Sequence, residues 1–329
     1  MKALVYTAPN HVTYRDEAEP QVDAGEVLLE IEAVGICGSD MHAYHGHDPR
    51  RLPPLILGHE LAAKIVAGPD AGRRVTVNPL ITCGRCEYCV QGRDNLCANR
   101  TMIGMTRPGG FADYMSIPAS CLIDIPQEMD SIHAALTEPA ATALHAINVA
   151  ARALTRPLPE ARVLVIGGGA VGLLTALLLR SYGCREIQLT ETNALRRKSA
   201  QSAVAANVID PVSMPTPESA FELVFDAVGS AVTRQTAIKA VKPGGVVLHI
   251  GLLDWASEID MRRLTLAEIT LIGTYTYTTA DMRATVDALQ RGVFGDLAWV
   301  ETRSLADGAT AFADLHQGRS GAAKIVLKP

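Results

Sequence analysis

The sequence has no surplus of basic charge. Its 30 lysines and arginines face 35 aspartates and glutamates, for a formal net charge of −5, which is a poor match to a nucleic-acid or anionic-membrane binder. Long apolar runs are also lacking: the longest near a helix, 170–179, is far too short to span a bilayer. The chain starts MKALVY with no secretory signal, so its seven cysteines are expected unbridged, in a reducing cytoplasm. No internal repeat and no low-complexity tract is visible. What remains, 48% apolar and 20% charged residues in a chain of 329, describes a globular protein with a large core divided between two domains.

The pattern changes character along the chain. Up to about residue 125, short β-rich runs at 2–6, 27–34, 61–66, 74–78 and 113–117 are broken by Gly, Pro and Asp. Residues 132–153 have helical composition. Strands and helices then alternate: strand 162–166, helix 169–182, strand 186–190, helix 194–204, strand 221–226, helix 232–241, and strands 245–250 and 268–273. That alternation predicts a parallel sheet with helices on both faces. Pro211 to Pro217 reads as a loop. Two helices near 280–291 and 305–317 and a strand at 324–327 complete the chain.

Cys83, Cys86, Cys89 and Cys97 are spaced C-x2-C-x2-C-x7-C. Four thiolates this close complete a tetrahedral Zn²⁺ site with no position left for water, which is a structural role. A C-x2-C-x2-C run also suits an iron–sulfur cluster, but the flanking sequence does not resemble a ferredoxin. A zinc-finger reading for nucleic acid fails on charge, and the lobe has few aromatics to stack bases. Cys121 and Cys184 read as small buried hydrophobes.

Residues 162–179, RVLVIGGGAVGLLTALLL, carry Gly167-x-Gly169-x-x-Gly172 directly after a strand and opening a helix. Gly167 permits the tight turn, Gly169 lets the backbone approach a pyrophosphate, and Gly172 lets helix and strand pack closely. The helix N-terminus then faces the phosphates. Glu191 follows 19 residues after Gly172, at the end of the second strand. A carboxylate there accepts the adenosine ribose hydroxyls and repels a 2′-phosphate, so NAD is favoured over NADP. Arg196, Arg197 and Lys198 keep NADP open, although a solvated helix face explains them better.

Cys37, within ICGSDMH, and His59, within LGHE, are a thiolate and an imidazole suited to Zn²⁺. A catalytic zinc needs a third protein ligand and an open position. Glu138, in Thr137-Glu138-Pro139, and Glu60, next to His59, both offer a carboxylate. Spacing alone does not connect them.

Taken together, GICGSDMH, LGHE, the four-cysteine lobe, PGGFADY, TEPA and VLVIGGGAVG resemble, in this order, the zinc-dependent medium-chain dehydrogenases. The likeness runs from residue 2 to 327 and is nearest to the sorbitol/polyol and threonine dehydrogenase branch. It implies an α/β fold: a GroES-like β-rich catalytic domain over 1–139 with the zinc lobe at about 80–100, a Rossmann doubly wound parallel sheet over 140–273, and a C-terminal return over 274–329. It implies two zinc ions per chain, NAD, a small-molecule alcohol or polyol substrate, and a homodimer or homotetramer. Carried over by residue, Cys37, His59 and Glu138 hold the catalytic zinc, with Glu60 a direct ligand in some relatives. Asp40 orients the zinc histidine, Ser39 takes the substrate proton, and His42 relays it. Tyr44 and Tyr277 match substrate-side tyrosines. The implied reaction is oxidation of a secondary alcohol to the ketone, the metal activating the hydroxyl and hydride passing to nicotinamide. An L-threonine-type amino-alcohol dehydrogenase is the alternative. A non-catalytic NAD(H) sensor on the same fold predicts loss of a ligand, and Cys37, His59 and Glu138 are all present. The sequence departs from the polyol branch at Thr276, where that branch has an arginine, and in a short 67–75 connection read as a tightened surface turn. Gly38, where liver-type alcohol dehydrogenases carry an arginine, is shared with the polyol branch. His45 and His47 read as solvated loop residues.

Overall fold

The computed structural model describes residues 1–68 and 70–329. Six parallel strands form the central sheet, in the order Asn207–Ile209, Ile187–Thr190, Val163–Ile166, Phe221–Asp226, Val241–His249, Thr270–Gly273. The order runs outward both ways from Val163–Ile166, so a crevice opens at the carboxyl end of that strand, where doubly wound sheets bind ligands. All four residues of Val163–Ile166 are buried, as expected of a strand covered on both faces.

A mixed sheet carries the other half. Its main path is Leu122–Asp124, Arg74–Val77, Glu60–Ile65, Glu26–Gly35, Lys324–Lys328, Val300–Ser304, with Tyr114–Pro118 also paired to Glu26–Gly35. The C-terminal strand thus returns antiparallel to Glu26–Gly35, placing Val326 opposite Gly35. On the other side of that strand, Gly35 lies opposite Glu60. These two registers set the composition of the site described below. Sequence periodicity does not reveal Val300–Ser304 (VETRS): it has one apolar residue and is a strand because Lys324–Lys328 pairs with it.

The helix expected over 132–153 is two helices, Ser131–Ala135 and Thr137–Ala153. Pro139 explains the break: it has no N–H for the Ala135 carbonyl, and its ring would collide with that carbonyl in a continuous helix. The 67–75 connection is a tight turn in which Gly72 N–H meets the Ile65 carbonyl at 2.8 Å and Ile65 N–H meets the Arg73 carbonyl at 3.0 Å; Pro69 lies outside the described residues.

Helix Thr137–Ala153 packs against helix Thr279–Gln290 through a polar bridge. Asp281 accepts from His145 Nδ1 at 2.8 Å, Asn148 Nδ2 at 3.0 Å, and the Thr278 hydroxyl at 2.7 Å. Burial alone would raise this carboxyl, but the hydrogen bonds from His145 and Thr278 hold it down at about 2. A depressed folded-state value contributes stability that is fully present above the ordinary aspartate range, about 3.9, and is lost as pH falls toward the folded value. Asp281→Asn is therefore expected to cost on the order of 1–2 kcal/mol near neutrality. The gap between variant and parent should shrink steadily through the acid limb of a denaturant-unfolding pH series.

Candidate active site and metal centres

The Glu26–Gly35 strand delivers Cys37 to the start of a seven-residue helix, Gly38–Tyr44. Asp40 of that helix is fully buried and accepts the Cys37 N–H at 3.0 Å, closing a capping box. Its other oxygen faces the Gly58 N–H at 3.4 Å and His59 Nδ1 at 3.5 Å. Gly58 has φ +91°, the left-handed turn that swings His59 back toward Cys37. At Gly35, a Cβ would strike the Glu60 carboxylate, so the strand pairing closes only over a glycine.

Cys37, His59 and Glu60 place one donor atom each within 4.8 Å of one another. Glu138 is outside that group. It is buried and its Oε1 accepts from the Tyr277 hydroxyl at 2.6 Å. Of the two carboxylates expected to complete the set with Cys37 and His59, Glu60 lies within this group and Glu138 lies outside it. The physical reason is the Gly35–Glu60 register, which puts Glu60 beside Cys37, while Tyr277 holds Glu138.

The donor chemistry suits a divalent ion here. Glu60 is 1% exposed and pairs with Lys324, itself 3% exposed, at 2.7 and 2.5 Å; Lys324 Nζ also donates to the Ile36 carbonyl at 2.9 Å. Burial disfavours the Lys324 charge, yet Glu60 and Cys37 raise it above the ordinary lysine range. Burial, and then Glu60, push Glu138 up to about 7 against His59, Tyr277 and Lys324. A soft sulfur donor, an imidazole and a carboxylate together match the donor preferences of Zn²⁺. Asp40 at His59 Nδ1 is the carboxylate partner usual for a metal-bound histidine.

Ser39 Oγ lies 3.5 Å from His59 Nε2 and accepts from Arg51 Nη2 at 3.3 Å. Arg51 is buried, paired with Asp48 at 2.8 Å and donating to the Gly104 carbonyl at 2.9 Å. No sequence motif marks Arg51, a basic residue within the stretch DPRRLPP. Lys324 likewise carries no local mark, because its partner Glu60 is 264 residues away. His42 is half-buried, one turn after Ser39. Burial, then His47, hold it below the ordinary histidine range, with Asp48 opposing.

Both tyrosines expected at the substrate are buried. Tyr44 is buried and packs on Phe312 at 5.3 Å, because its helix lays that face on helix Gly308–His316. Tyr277 is fully buried and positions Glu138 instead. Thr276 beside it takes φ +48°, a strained conformation for a β-branched residue, and its buried hydroxyl has no partner.

In the cysteine lobe the sulfurs of Cys86 and Cys89 are 3.5 Å apart, Cys97 and Cys83 3.6 Å, and Cys83 and Cys89 4.0 Å. Tetrahedral coordination with Zn–S bonds of about 2.3 Å requires sulfurs about 3.8 Å apart. All seven cysteines are free. Backbone N–H groups of Arg85 and Cys86 bring the Cys83 thiol down to about 6, while burial and then Cys86 push Cys89 up to about 11. The lobe is tied to the Tyr277 segment: Asn95 donates to the Tyr275 carbonyl at 2.8 Å, and Thr279 donates to Asp94 at 2.6 Å. Cys97→Ser is therefore expected to lower zinc content by one equivalent of the two sites and reduce thermal stability by several kcal/mol. Elemental analysis and calorimetry check it; full retention of zinc would contradict it.

At the nucleotide crevice, Gly167 has φ +101°, and a Cβ at Gly172 would collide with the Gly167 carbonyl. A Cβ at Gly169 would meet no protein atom, which leaves room in front of helix Ala170–Ser181 for a pyrophosphate. Glu191 accepts the Gly168 N–H at 3.0 Å and the Asn193 N–H at 2.7 Å at the crevice edge. Arg197 is engaged with Asp210 at 3.1 Å, whereas Arg196 Nε stands 3.9 Å from Glu191. Among the described residues no helix is long and apolar enough to cross a membrane.

Comparison with known proteins agrees with both halves. Residues 23–127 match the alcohol dehydrogenase GroES-like domain, and residues 170–291 match the zinc-binding dehydrogenase family. The chain is 31% identical to an L-threonine 3-dehydrogenase of Streptomyces coelicolor over 99% of both chains. It is 29% identical to the L-galactonate-5-dehydrogenase of Escherichia coli over 85% of both. Its structure superposes on acetophenone reductase from Geotrichum candidum in complex with NAD with a TM-score of 0.89, 28% identity and coverage of 100% of this chain and 97% of that one. The chain belongs to the zinc-dependent medium-chain dehydrogenases, oxidoreductases that join a GroES-like domain to a Rossmann-like one.

Proposed function

We propose that the protein oxidises a secondary alcohol, of the polyol or sugar-derived class, to the ketone, with NAD as acceptor and NADP as the lesser alternative. One observation carries the reading: thiol, imidazole and carboxylate donors converge in a buried site beside the Ser39 hydroxyl. Zinc bound there supplies a Lewis acid for the substrate hydroxyl, and the nicotinamide supplies the hydride acceptor. The chain's own residues do the rest. Asp40 orients the His59 ring. Arg51 donates to one lone pair of Ser39 Oγ, leaving the other to take the substrate proton and the hydroxyl hydrogen free to leave. His42, one helical turn on and held neutral by its burial, accepts it on the way to solvent. Glu191 takes the ribose hydroxyls. In this reading 1–139 hold the metal, 140–273 the nucleotide, and 274–329 return to the first region.

The reading extends to a homodimer or homotetramer. The edge strand Thr270–Gly273 leaves Leu271 exposed, lining one cavity with the exposed Trp255, and a second copy would cover such a strand.

A threonine-type reading draws on the Streptomyces relative, similar over nearly its whole length. Initial rates of cofactor reduction across polyols, sugar acids and L-threonine, with NAD and with NADP, separate the two. Turnover of L-threonine alone would overturn the polyol reading. NAD binding without turnover of any of them, by protein carrying two zinc ions, would point to a sensor.

A further inference from the structure

Away from the cleft metal, two histidines remote in sequence meet. His45 Nε2 lies 2.9 Å from His316 Nδ1, 271 residues away. His45 caps the carboxyl end of helix Gly38–Tyr44, and His316 ends helix Gly308–His316. Neither takes part in the reaction described above. Their spacing is set from beneath by Tyr44, which packs on Phe312 at 5.3 Å and on His316 at 6.1 Å. Burial, then His316, His47 and His42, hold His45 below the ordinary histidine range, which favours the neutral ring and its free lone pair.

Two facing imidazole nitrogens either share a proton or bind one metal ion. With metal–nitrogen bonds of about 2.05 Å, the observed 2.9 Å separation subtends about 90° at the ion. That is the cis angle of square-planar or octahedral coordination, whereas a tetrahedral ion would require nitrogens about 3.4 Å apart. Carbonyl ends of helices favour a cation at such a position. His47 is exposed, with its ring 5.6 Å from that of His45, within reach as a further ligand.

We propose that His45 and His316 form a third metal site, selective for Ni²⁺ or Cu²⁺ over Zn²⁺, that pins the helix carrying Ser39 and His42 to the C-terminal helix Gly308–His316. Ni²⁺ is the probe of choice because it does not oxidise thiols under these conditions. Untagged, zinc-loaded protein titrated with Ni²⁺ by calorimetry should take up one equivalent, keep its zinc, and melt at a higher temperature. His316→Ala alters an exposed residue outside the catalytic machinery. It should leave turnover without added nickel unchanged, weaken nickel binding on the order of tenfold or more, and abolish the thermal shift. His45→Ala should match it. Zn²⁺ in excess of the loaded ions should bind the parent more weakly than Ni²⁺. The proposal is overturned if nickel uptake is the same in parent and both variants, if nickel enters only by displacing zinc, or if excess zinc binds the pair as tightly.

Discussion

Glu60→Gln is expected to reduce bound zinc from two equivalents to one and to lower kcat/KM by at least about a thousandfold, because one of three protein ligands loses its charge. Glutamine retains the shape of the side chain and an acceptor for Lys324, so the variant tests ligation rather than folding. The informative comparison is Glu138→Gln. Glu138 hydrogen-bonds to Tyr277 and stands outside the group formed by Cys37, His59 and Glu60. Its amide should leave both zinc ions in place and cost about 10–100-fold, the usual penalty for disturbing a residue behind a ligand. Elemental analysis on the two variants gives the answer before any kinetics. If Glu138→Gln lost the ion and Glu60→Gln kept it, the assignment of the carboxylate ligand would be reversed.

That pair of variants also marks where reading the sequence stopped. Features encoded locally were legible: the Gly167, Gly169 and Gly172 turn, the four cysteines within 15 residues, and the alternating strands of the parallel sheet need only their neighbours in the chain. The choice between Glu60 and Glu138 is not local. It depends on Gly35 lying opposite Glu60 and on the C-terminal strand lying opposite Gly35. No periodicity in residues 26–35 or 324–328 states which strand will pair with which. Arg51 and Lys324 were invisible for the same reason, since a basic residue in a loop or near a terminus reads as solvated until its buried partner is known. Tyr44 and Tyr277 show the converse. Resemblance placed them beside the substrate, but packing on Phe312 buries one and Glu138 occupies the hydroxyl of the other. The helix break before Thr137 was missed although its signal is local, because Pro139 forbids a continuous helix through Ala135.

Lys324→Met is expected to separate the metal-free and zinc-loaded proteins in stability more than any other single change. Lys324 is the cation that both Glu60 oxygens touch, in surroundings that bury both partners. Without metal, its removal strands the Glu60 carboxylate beside Cys37 and Glu138, and breaking a buried pair in this way costs about 3–5 kcal/mol. With zinc bound by Cys37, His59 and Glu60, the ion would supply the compensating charge, so the loss should be far smaller. The two losses are linked through a thermodynamic cycle. If the metal-free form is destabilised more than the loaded form, zinc must bind the variant more tightly by the difference. Lys324 therefore lowers zinc affinity while keeping the metal-free fold intact, a role that neither a ligand nor a packing residue would have. Melting curves of parent and variant, each with and without zinc, test this directly. The variant's two melting temperatures should lie further apart than the parent's, and a chelator competition should show slower or weaker zinc extraction from the variant. Equal losses in both forms would mean that Lys324 contributes packing alone, and that its ammonium does not compete with the metal for Glu60.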